Sequence, residues 1–324
     1  MKLQQLRYIW EVSRRDLNIS RAADALHTSQ PGVSKQIRQL ENELGVEIFT
    51  RTGKNLSRVS LAGQAIIDVA GDILSKVDQI RDIGREHSAP HQGSLSLATT
   101  HTQSRYVLPP VITAFIEKYP DVALHMHQGT PMQISRMVSE GTVDFAIATE
   151  ALEHYSDLVM MPCYSWNRAL LVPGDHELAK CSTVSLEQIS RFPIVTYTFG
   201  FTGRSKLDEA FAALNLQPRV VFTAADADVI KTYVRLGLGI GIVAKMAFDA
   251  RADSDLVAID VGHLFQPSIA KIGFRPDSFL RGYMYDFIEL FAPHLTHEVV
   301  EEACRCRGEE SLNSLFASLD LPII

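Results

Sequence analysis

The sequence has no run of apolar residues long enough to cross a membrane, because no window approaches the roughly 18 apolar residues of a spanning helix. The first residues, from Met1 to Arg7, also lack the apolar stretch of a secretory signal. Only 4 of the 324 residues are cysteine, and Cys304-Arg-Cys306 lacks the two-residue gap of redox or zinc motifs. We therefore expect a cytoplasmic protein with reduced thiols, no membrane span and no disulfide framework.

Motifs for catalysis and for metal or cofactor binding are missing as well. No nucleophile elbow, phosphate-binding loop or zinc-protease helix occurs. In residues 237–241 three glycines alternate, but the third comes one residue too early for a dinucleotide fingerprint. His125 and His127 have no third metal ligand near them in the sequence. We expect no catalytic residue, no metal and no cofactor.

Charge is distributed unevenly along the chain. Residues 1–60 hold ten Lys and Arg against six Asp and Glu, a balance of +4. The whole chain carries −7, so the remaining residues sum to −11. This asymmetry indicates a nucleic-acid-binding module joined to a body that does not bind nucleic acid. The length predicts two or three domains.

Residues 20–37 predict two short helices separated by a tight polar break, which is typical of a helix-turn-helix. Ser20 is a candidate N-cap of the first helix. Ser29 or Gln30 begins the second helix, with Pro31 in its first turn, where a missing N–H costs nothing. Apolar residues at helical spacing predict the buried face of the second helix: Val33, Ile37, Leu40 and Leu44.

The opposite face of the second helix carries amide, hydroxyl and cationic side chains, which suit the major groove. We expect Gln30, Ser34 and Lys35 to face base edges and Arg38 to contact a phosphate. The alternative is an ordinary small helical bundle with a solvated polar face.

Residues 49–58 predict a short hairpin that turns at Gly53. We expect this hairpin to form a wing, with Arg51 and Lys54 on backbone phosphates. The full set of predicted DNA-binding residues is Ser20, Arg21, Ser29, Gln30, Pro31, Ser34, Lys35, Arg38, Arg51 and Lys54.

A long helix is predicted from Leu61 to about His87, followed by a hinge rich in helix breakers at 88–93. We expect this helix to pair with a second copy of the chain. The alternative is that it packs against its own domain. Its apolar residues repeat at coiled-coil spacing, at Ile66, Ala70, Ile73, Val77 and Ile80.

From Ser94 onward, strand and helix patterns alternate, which predicts an α/β fold with a largely parallel sheet. Thr100, Thr102 and Gln103 fall where a strand ends and a helix begins. Thr149 ends another strand, and Thr202 lies in a glycine-rich turn. Hydroxyl and amide donors beside a helix N-terminus suit a small anion such as sulfate or a carboxylate. The alternative is that these residues only serve turns and caps.

The sequence resembles the LysR-type transcriptional regulators. The resemblance is carried by residues 20–37, by the pattern Leu40-Glu41-x-x-Leu44-Gly45 continuing to Phe49-x-Arg51, and by 61–63. It implies a winged helix-turn-helix over 1–60, a linker helix and hinge over 61–90, and an effector-binding domain over 91–324. The implied effector domain has the two-lobed α/β fold of periplasmic binding proteins. Lobe I would span about 91–162 and 267–295, lobe II about 163–266, and a tail 296–324.

Residues 99–106, 198–203 and the tail resemble, more narrowly, the CysB-like branch, activators of cysteine-biosynthesis and sulfur-assimilation genes. This resemblance implies N-acetylserine or O-acetylserine as the effector, with sulfate or thiosulfate as further ligands. It places Trp166 near the wall of the site. The implied effector-binding residues are Thr100, Thr102, Gln103, Thr149, Trp166 and Thr202.

The implied partners are promoter DNA, RNA polymerase, the small anion and further copies of the chain, as a dimer through the linker helix and as a tetramer. The alternatives are a Cbl-like or other LysR-type regulator that responds to a different small anion. From another class, an enzyme acting on an acyl-serine or sulfur metabolite is disfavoured, because the donors are neutral and no general base is evident.

Overall fold

The computed structural model describes the chain except for residues 54, 150–157, 202, 307 and 318 and the side chains of residues 55 and 309. The chain forms two compact units, Met1–Ser88 (unit 1) and Ala89–Ile324 (unit 2), each with its own hydrophobic core. Among the described residues, no helix combines the length and the apolar character that a membrane span requires.

Unit 1 is a small helical bundle with a two-stranded hairpin. Its elements are α1 (Leu3–Ser13), α2 (Ile19–Ala25), α3 (Gln30–Leu44), β1 (Phe49–Thr52), β2 (Asn55–Val59) and α4 (Leu61–Ser88). β1 and β2 pair antiparallel as a wing. The apolar face of α3 is buried against α1 and α2, through Val33, Ile37 and Leu40. The predicted winged helix-turn-helix is confirmed.

The ends of two helices differ from the predictions. Asn18, and not Ser20, caps α2, because its side-chain oxygen accepts from the Arg21 N–H at 3.0 Å. Ser29 caps α3, its hydroxyl accepting from the Gly32 N–H at 3.3 Å. Leu44, predicted to be buried, is 40% exposed, because it lies in the last turn before the left-handed Gly45 that ends α3.

The first half of α4 packs within unit 1, so the prediction of a free-standing seam is wrong there. Of the predicted seam only Ala70 is buried, and Ile80 is 69% exposed. A Cβ on Gly63 would overlap the Ile48 carbonyl, which shows how closely the helix approaches the chain before the wing. The buried residues of α4 are Gly63, Ile67, Ala70 and Leu74.

Unit 2 contains two five-stranded sheets, one in each lobe. Its strands are β3 (Gly93–Thr99), β4 (Val122–Gln128), β5 (Phe145–Ala148), β6 (Val159–Trp166), β7 (Arg168–Pro173), β8 (Ile194–Tyr197), β9 (Val220–Ala224), β10 (Ile240–Ala244), β11 (Leu256–Asp260) and β12 (Ser268–Phe274). The order is β4-β3-β5-β12-β6 in lobe I and β11-β7-β10-β8-β9 in lobe II.

Helices cover the sheets of unit 2. They are α5 (Leu108–Lys118), α6 (Pro131–Ser139), α7 (Leu186–Ile189), α8 (Arg204–Ala213), α9 (Ala227–Arg235), α10 (Gly282–Phe291), α11 (His297–Arg305) and α12 (Glu309–Phe316). A single π-helical turn, Gln103–Val107, leads into α5. The predicted two-lobed α/β fold is confirmed.

The sheets are mixed, which corrects the prediction of a largely parallel sheet. In lobe I β12 runs antiparallel to β5 and β6, and in lobe II β7 runs antiparallel to β10 and β11. The chain passes from lobe I to lobe II at Asn167, between β6 and β7. The first lobe boundary therefore lies a few residues later than the predicted 162/163, since Tyr164 to Trp166 still pair with β12.

The tail, for which the sequence indicated no role, covers the edge of the lobe I sheet. Val300, Ala303 and Leu312 join the core of lobe I. The Ser165 N–H donates to the Pro322 carbonyl at 2.9 Å, and the Ile324 N–H donates to the Ser165 carbonyl at 3.0 Å. The tail thus occupies hydrogen-bonding groups of the edge strand β6.

Candidate DNA-binding surface and effector site

The polar face of α3 is accessible, as a recognition helix requires. The predicted DNA-binding residues are exposed except for the partly buried Ser34 and Arg51: Ser20, Arg21, Ser29, Gln30, Pro31, Lys35 and Arg38. Lys54 lies outside the described residues. Amide, hydroxyl and cationic groups on one face of a packed helix can read base edges and bind phosphates.

A buried carboxylate connects this helix to the wing. Glu41 is 6% exposed, and its Oε1 accepts from the N–H groups of Ile48 (3.0 Å) and Phe49 (3.1 Å). Its Oε2 accepts from Arg51 at 3.0 Å. Arg51, predicted to bind phosphate, therefore has a structural partner in the protein. The one indication of this role in the sequence is that Glu41 is an acidic residue next to the apolar stripe of α3.

In unit 2, three of the predicted effector residues lie at the carboxyl end of β3. Thr100, Thr102 and Gln103 are all buried, with exposures of 6%, 2% and 3%. The chain is helical from residue 101, so the hydroxyls and the amide lie at the start of a helix. Gln103 Oε1 accepts a hydrogen bond from the buried Tyr164 hydroxyl. The Nδ1 atom of His101 is buried and has no hydrogen-bond partner among the described residues.

The carboxyl end of the neighbouring strand β5 contributes a second pair. Strands β3 and β5 pair in parallel, and the Thr99 hydroxyl donates to the Ile147 carbonyl at 3.0 Å. Thr149 follows β5, and its Oγ1 accepts from the indole Nε1 of the buried Trp166 at 3.2 Å. The structure therefore brings the lobe I candidates to adjacent strand ends, the usual location of ligands in open α/β sheets. Thr202 lies outside the described residues.

Directly after the crossover between the lobes, at the first residue of β7, lies Arg168, which the sequence patterns did not single out. It is 2% exposed, and its guanidinium donates to the Gly203 carbonyl at 2.6 Å. It also lies 5.3 Å from the ring centres of both Trp166 and Phe265. Trp166 is near in the sequence, but Gly203 and Phe265 are brought to Arg168 only by the tertiary fold, so the sequence carries no signal for this set of contacts.

A second polar contact joins the lobes. The Tyr106 hydroxyl, in the π-helical turn, donates to Asp228 of α9 at 2.8 Å. Lys231 lies 3.1 Å from Asp228 and 3.0 Å from the buried Asp253. Burial raises the pKa of Tyr106, and the hydrogen bond to Asp228 raises it further. Burial also raises the pKa of Asp228, but hydrogen bonds from Tyr106 and Lys231 outweigh it and hold that pKa below its ordinary value.

Within the described part of the chain, no group of three or more His, Cys, Asp or Glu side chains could hold a metal ion. His125 and His127 are exposed on β4. The polar groups at the strand ends are hydroxyl, amide and indole hydrogen-bond donors and acceptors.

Both units match known families. Residues 3–64 match the bacterial regulatory helix-turn-helix protein, lysR family, and residues 88–296 match the LysR substrate binding domain. These matches identify a transcriptional regulator with a small-molecule effector, and not an enzyme. DNA binding and oligomer formation are properties of this class.

The chain is 54% identical over 321 residues to the HTH-type transcriptional regulator CysB of Haemophilus influenzae, covering 99% of each chain. It is 48% identical over 295 residues to SsuR of Burkholderia cenocepacia, covering 91% of this chain and 96% of that one. The solved cofactor-binding domain of the Cbl transcriptional regulator is similar in fold, with a TM-score of 0.64 and 42% identity. That match covers 66% of this chain and 95% of the Cbl domain. The chain therefore belongs to the LysR family of bacterial transcriptional regulators, and within it to the CysB-like branch.

Proposed function

We propose that this regulator acts mainly as an activator of genes for cysteine biosynthesis and sulfur assimilation, and that it works in the cytoplasm on promoter DNA. The observation that carries the proposal is the 54% identity to CysB over nearly the full length of both chains. The effector we propose is N-acetylserine or O-acetylserine, with sulfate or thiosulfate as competing ligands. A Cbl-like regulon is less well supported, because the identity to the Cbl domain is lower, at 42%.

The chemistry of the strand ends supports a small anion as the ligand. Thr100, Thr102 and Gln103 offer neutral donors at the start of a helix, whose free N–H groups and dipole favour negative charge. Thr149 extends this set from the adjacent strand. The unpartnered Nδ1 of His101 is a further buried polar atom that a ligand could satisfy. We propose that Thr202 contributes from lobe II.

For DNA binding we propose that Gln30, Ser34 and Lys35 face base edges, while Arg38 and Lys54 contact phosphates. We propose a dimer through the second half of α4, where Ile80 and Ile83 are 69% and 43% exposed. A tetramer and a contact with RNA polymerase complete the proposed assembly. The effector can shift the equilibrium between two placements of the dimers on promoter DNA only by as much as its affinity for the two placements differs.

The test is a gel shift of the full chain on a promoter fragment of a cysteine-biosynthesis gene, at fixed salt, with and without N-acetylserine. We expect a ligand-dependent change in the mobility or the affinity of the complex. Thr100→Ala should abolish the response and leave DNA binding intact. Thr113→Ala is the matched control, because its hydroxyl is exposed and bonds only its own helix at Pro109.

DNA binding that is indifferent to acetylserine, sulfate and thiosulfate would refute the effector class and keep the family. Absence of binding to any promoter of a cysteine or sulfur gene, with binding elsewhere, would refute the proposed regulon. A response that survives Thr100→Ala would move the effector site away from the end of β3.

A further inference from the structure

We propose that Arg168 is the positioning residue of the effector site. It ties Trp166 of lobe I and Gly203 of lobe II to one guanidinium group and so sets the spacing between the two halves of the site. The inference rests on the proposed function, because it assumes that the anion binds between the lobes.

Arg168 is the first residue of β7, directly after the crossover, and its side chain donates to Gly203 before α8 and to the segment at the start of β12. Nη2 donates to the Gly203 carbonyl at 2.6 Å and to the Ser268 hydroxyl at 3.4 Å. Nη1 donates to the Gln266 carbonyl at 3.3 Å, on the second crossover. One buried group therefore contacts both chain crossings and the N-terminus of α8.

The lobe I contacts converge on one rung of the sheet. Ser268 of β12 pairs with Trp166 of β6, and Arg168 touches both, as a hydrogen-bond donor to Ser268 and by its position against the indole ring. The same indole donates to Thr149 at 3.2 Å. A displacement of the Arg168 guanidinium would therefore move the Trp166 indole and, through its hydrogen bond, Thr149.

In lobe II, Arg168 contacts the backbone at Gly203, where only glycine fits. Gly203 has φ +72° and precedes α8, and a Cβ there would overlap Nη2 of Arg168 and lie 3.0 Å from the Ser268 hydroxyl. The position thus requires glycine for its backbone conformation and for the close approach of Arg168. Because Gly203 directly follows Thr202, the guanidinium holds the backbone next to the effector residue proposed in lobe II.

The side chain has to be arginine for this purpose. A planar guanidinium presents several N–H donors in a rigid fork and stacks on aromatic rings, whereas a lysine ammonium is a flexible point donor. Lysine at 168 would keep the charge but could not hold Gly203, Gln266 and Ser268 in one plane. Without the guanidinium, the backbone at Gly203 would lose its hydrogen bond from Arg168 in the unliganded protein. Binding of the ligand would then have to order this backbone, and the cost of that ordering would lower the affinity.

The experiment compares Arg168→Met, Arg168→Lys and a matched control in the full chain. The control is Arg281→Met, which is also buried (3%) and lies 4.9 Å from the ring centre of Tyr283. Arg281 likewise donates to backbone carbonyls, at Ala89 and Gln92, but beside the amino end of β3. Calorimetry measures the Kd for sulfate and N-acetylserine, and thermal unfolding is followed in parallel.

We expect Arg168→Met to raise the Kd for both ligands by at least about tenfold, as expected when a binding loop loses its preordering. Arg281→Met should lower Tm and leave the Kd values within about twofold. Arg168→Lys should recover only a minor part of the affinity. An unchanged Kd in Arg168→Met, or full recovery with Lys, would overturn the positioning role.

Amide hydrogen exchange in the unliganded protein separates this inference from the proposed function. If the wild-type chain binds neither sulfate nor N-acetylserine, the proposed effector class is wrong. Amide hydrogen exchange then still tests whether Arg168 holds the backbone at Gly203. Exchange at least about tenfold faster over residues 203–207 in Arg168→Met than in Arg281→Met would support the tie to the Gly203 loop. Equal exchange in the two variants would overturn it.

Discussion

Glu41 makes the wing depend on the recognition helix, and replacing it with alanine tests that dependence. In the native structure one carboxylate satisfies the N–H groups of Ile48 and Phe49 and pairs with Arg51. Glu41→Ala removes all three hydrogen bonds and leaves two buried N–H groups without an acceptor. Glu41→Gln retains one oxygen for those N–H groups but loses the charge that faces Arg51.

The magnitude follows from these contacts. Removing one partner of a buried ion pair costs about 3–5 kcal/mol. Arg51 retains 25% exposure, so its guanidinium can be solvated, and we expect about 3 kcal/mol for Glu41→Ala. For a unit of this size, that loss lowers Tm by roughly 12–24 °C. Glu41→Gln should cost about 1–2 kcal/mol, because it loses one charge-assisted contact and keeps the other acceptor.

The assay exploits the position of the two tryptophans. Trp10 lies in unit 1 and Trp166 in unit 2, so Trp10 fluorescence in a Trp166→Phe background reports urea unfolding of unit 1 alone. Glu43→Ala is the control, since Glu43 is exposed and its loss should cost less than about 0.5 kcal/mol. A Glu41→Ala variant as stable as Glu43→Ala would show that the carboxylate does not hold the wing.

Two further predictions concern the polar contacts between α9 and its surroundings. Tyr106→Phe should lower the free energy of unfolding of unit 2 by about 1 kcal/mol, because Asp228 keeps Lys231 when the hydroxyl is lost. It should also raise the pKa of Asp228, measured by NMR titration, and an unchanged pKa would contradict the hydrogen bond. Burial raises the pKa of Asp253, but hydrogen bonds from the Asp249 N–H, Arg235 and Lys231 hold it below the ordinary 3.8. The unfolded chain then binds more protons near pH 4, so this stabilisation is present above that pH and is lost as the pH falls through the folded-state pKa. The free energy of unfolding of unit 2, measured with urea at a series of pH values, should therefore fall more steeply below pH 4 in the wild type than in Asp253→Asn. Parallel curves for the two proteins would refute the lowered pKa of Asp253.

The parts of the fold that could be predicted are those with a local physical signature. The spacing of Val33, Ile37 and Leu40 requires one buried helical face, and α3 has it. The cap of α2 was misassigned because Asn18 and Ser20 are both good caps, and which one begins the helix depends on the turn before it.

The direction in which a strand runs has no comparable signature in the local sequence. The apolar residues of β7 predict a buried strand but not its direction, and only the sheet order shows that β7 and β12 run against their neighbours. The first half of α4 packs within unit 1 instead of forming a free seam, for a related reason. Ile66 and Ile67 are both apolar, so the register that packs on α1 could not be distinguished from the coiled-coil register by spacing alone.

For the proposed effector site, the sequence predicted polar groups at strand ends, which the structure brings to adjacent strand ends, and it did not predict the contacts of Arg168. Thr100, Thr102 and Gln103 could be found because they are adjacent in the chain and follow a strand. Arg168 could not, since its hydrogen-bond partners Gly203 and Ser268 are separated from it by 35 and 100 positions. Donors that contact a ligand tend to cluster in sequence, whereas the residue that holds the clusters together is defined only by the fold.

One short segment joins the effector donors to the contact between the lobes. The helix that begins after Thr100 continues through the π-helical turn to Tyr106, so the donors and the Asp228 contact lie on one continuous piece of backbone. A π-helical turn is energetically strained and is often kept at functional sites. Ligand at Thr102 and Gln103 would therefore act directly on the turn that carries Tyr106. Arg168 contacts Trp166 and Gly203, on the other side of the proposed site. If the anion binds between the lobes as proposed, these two contacts lie on either side of its site, and the anion would stabilise a closed form only by its difference in affinity between open and closed states.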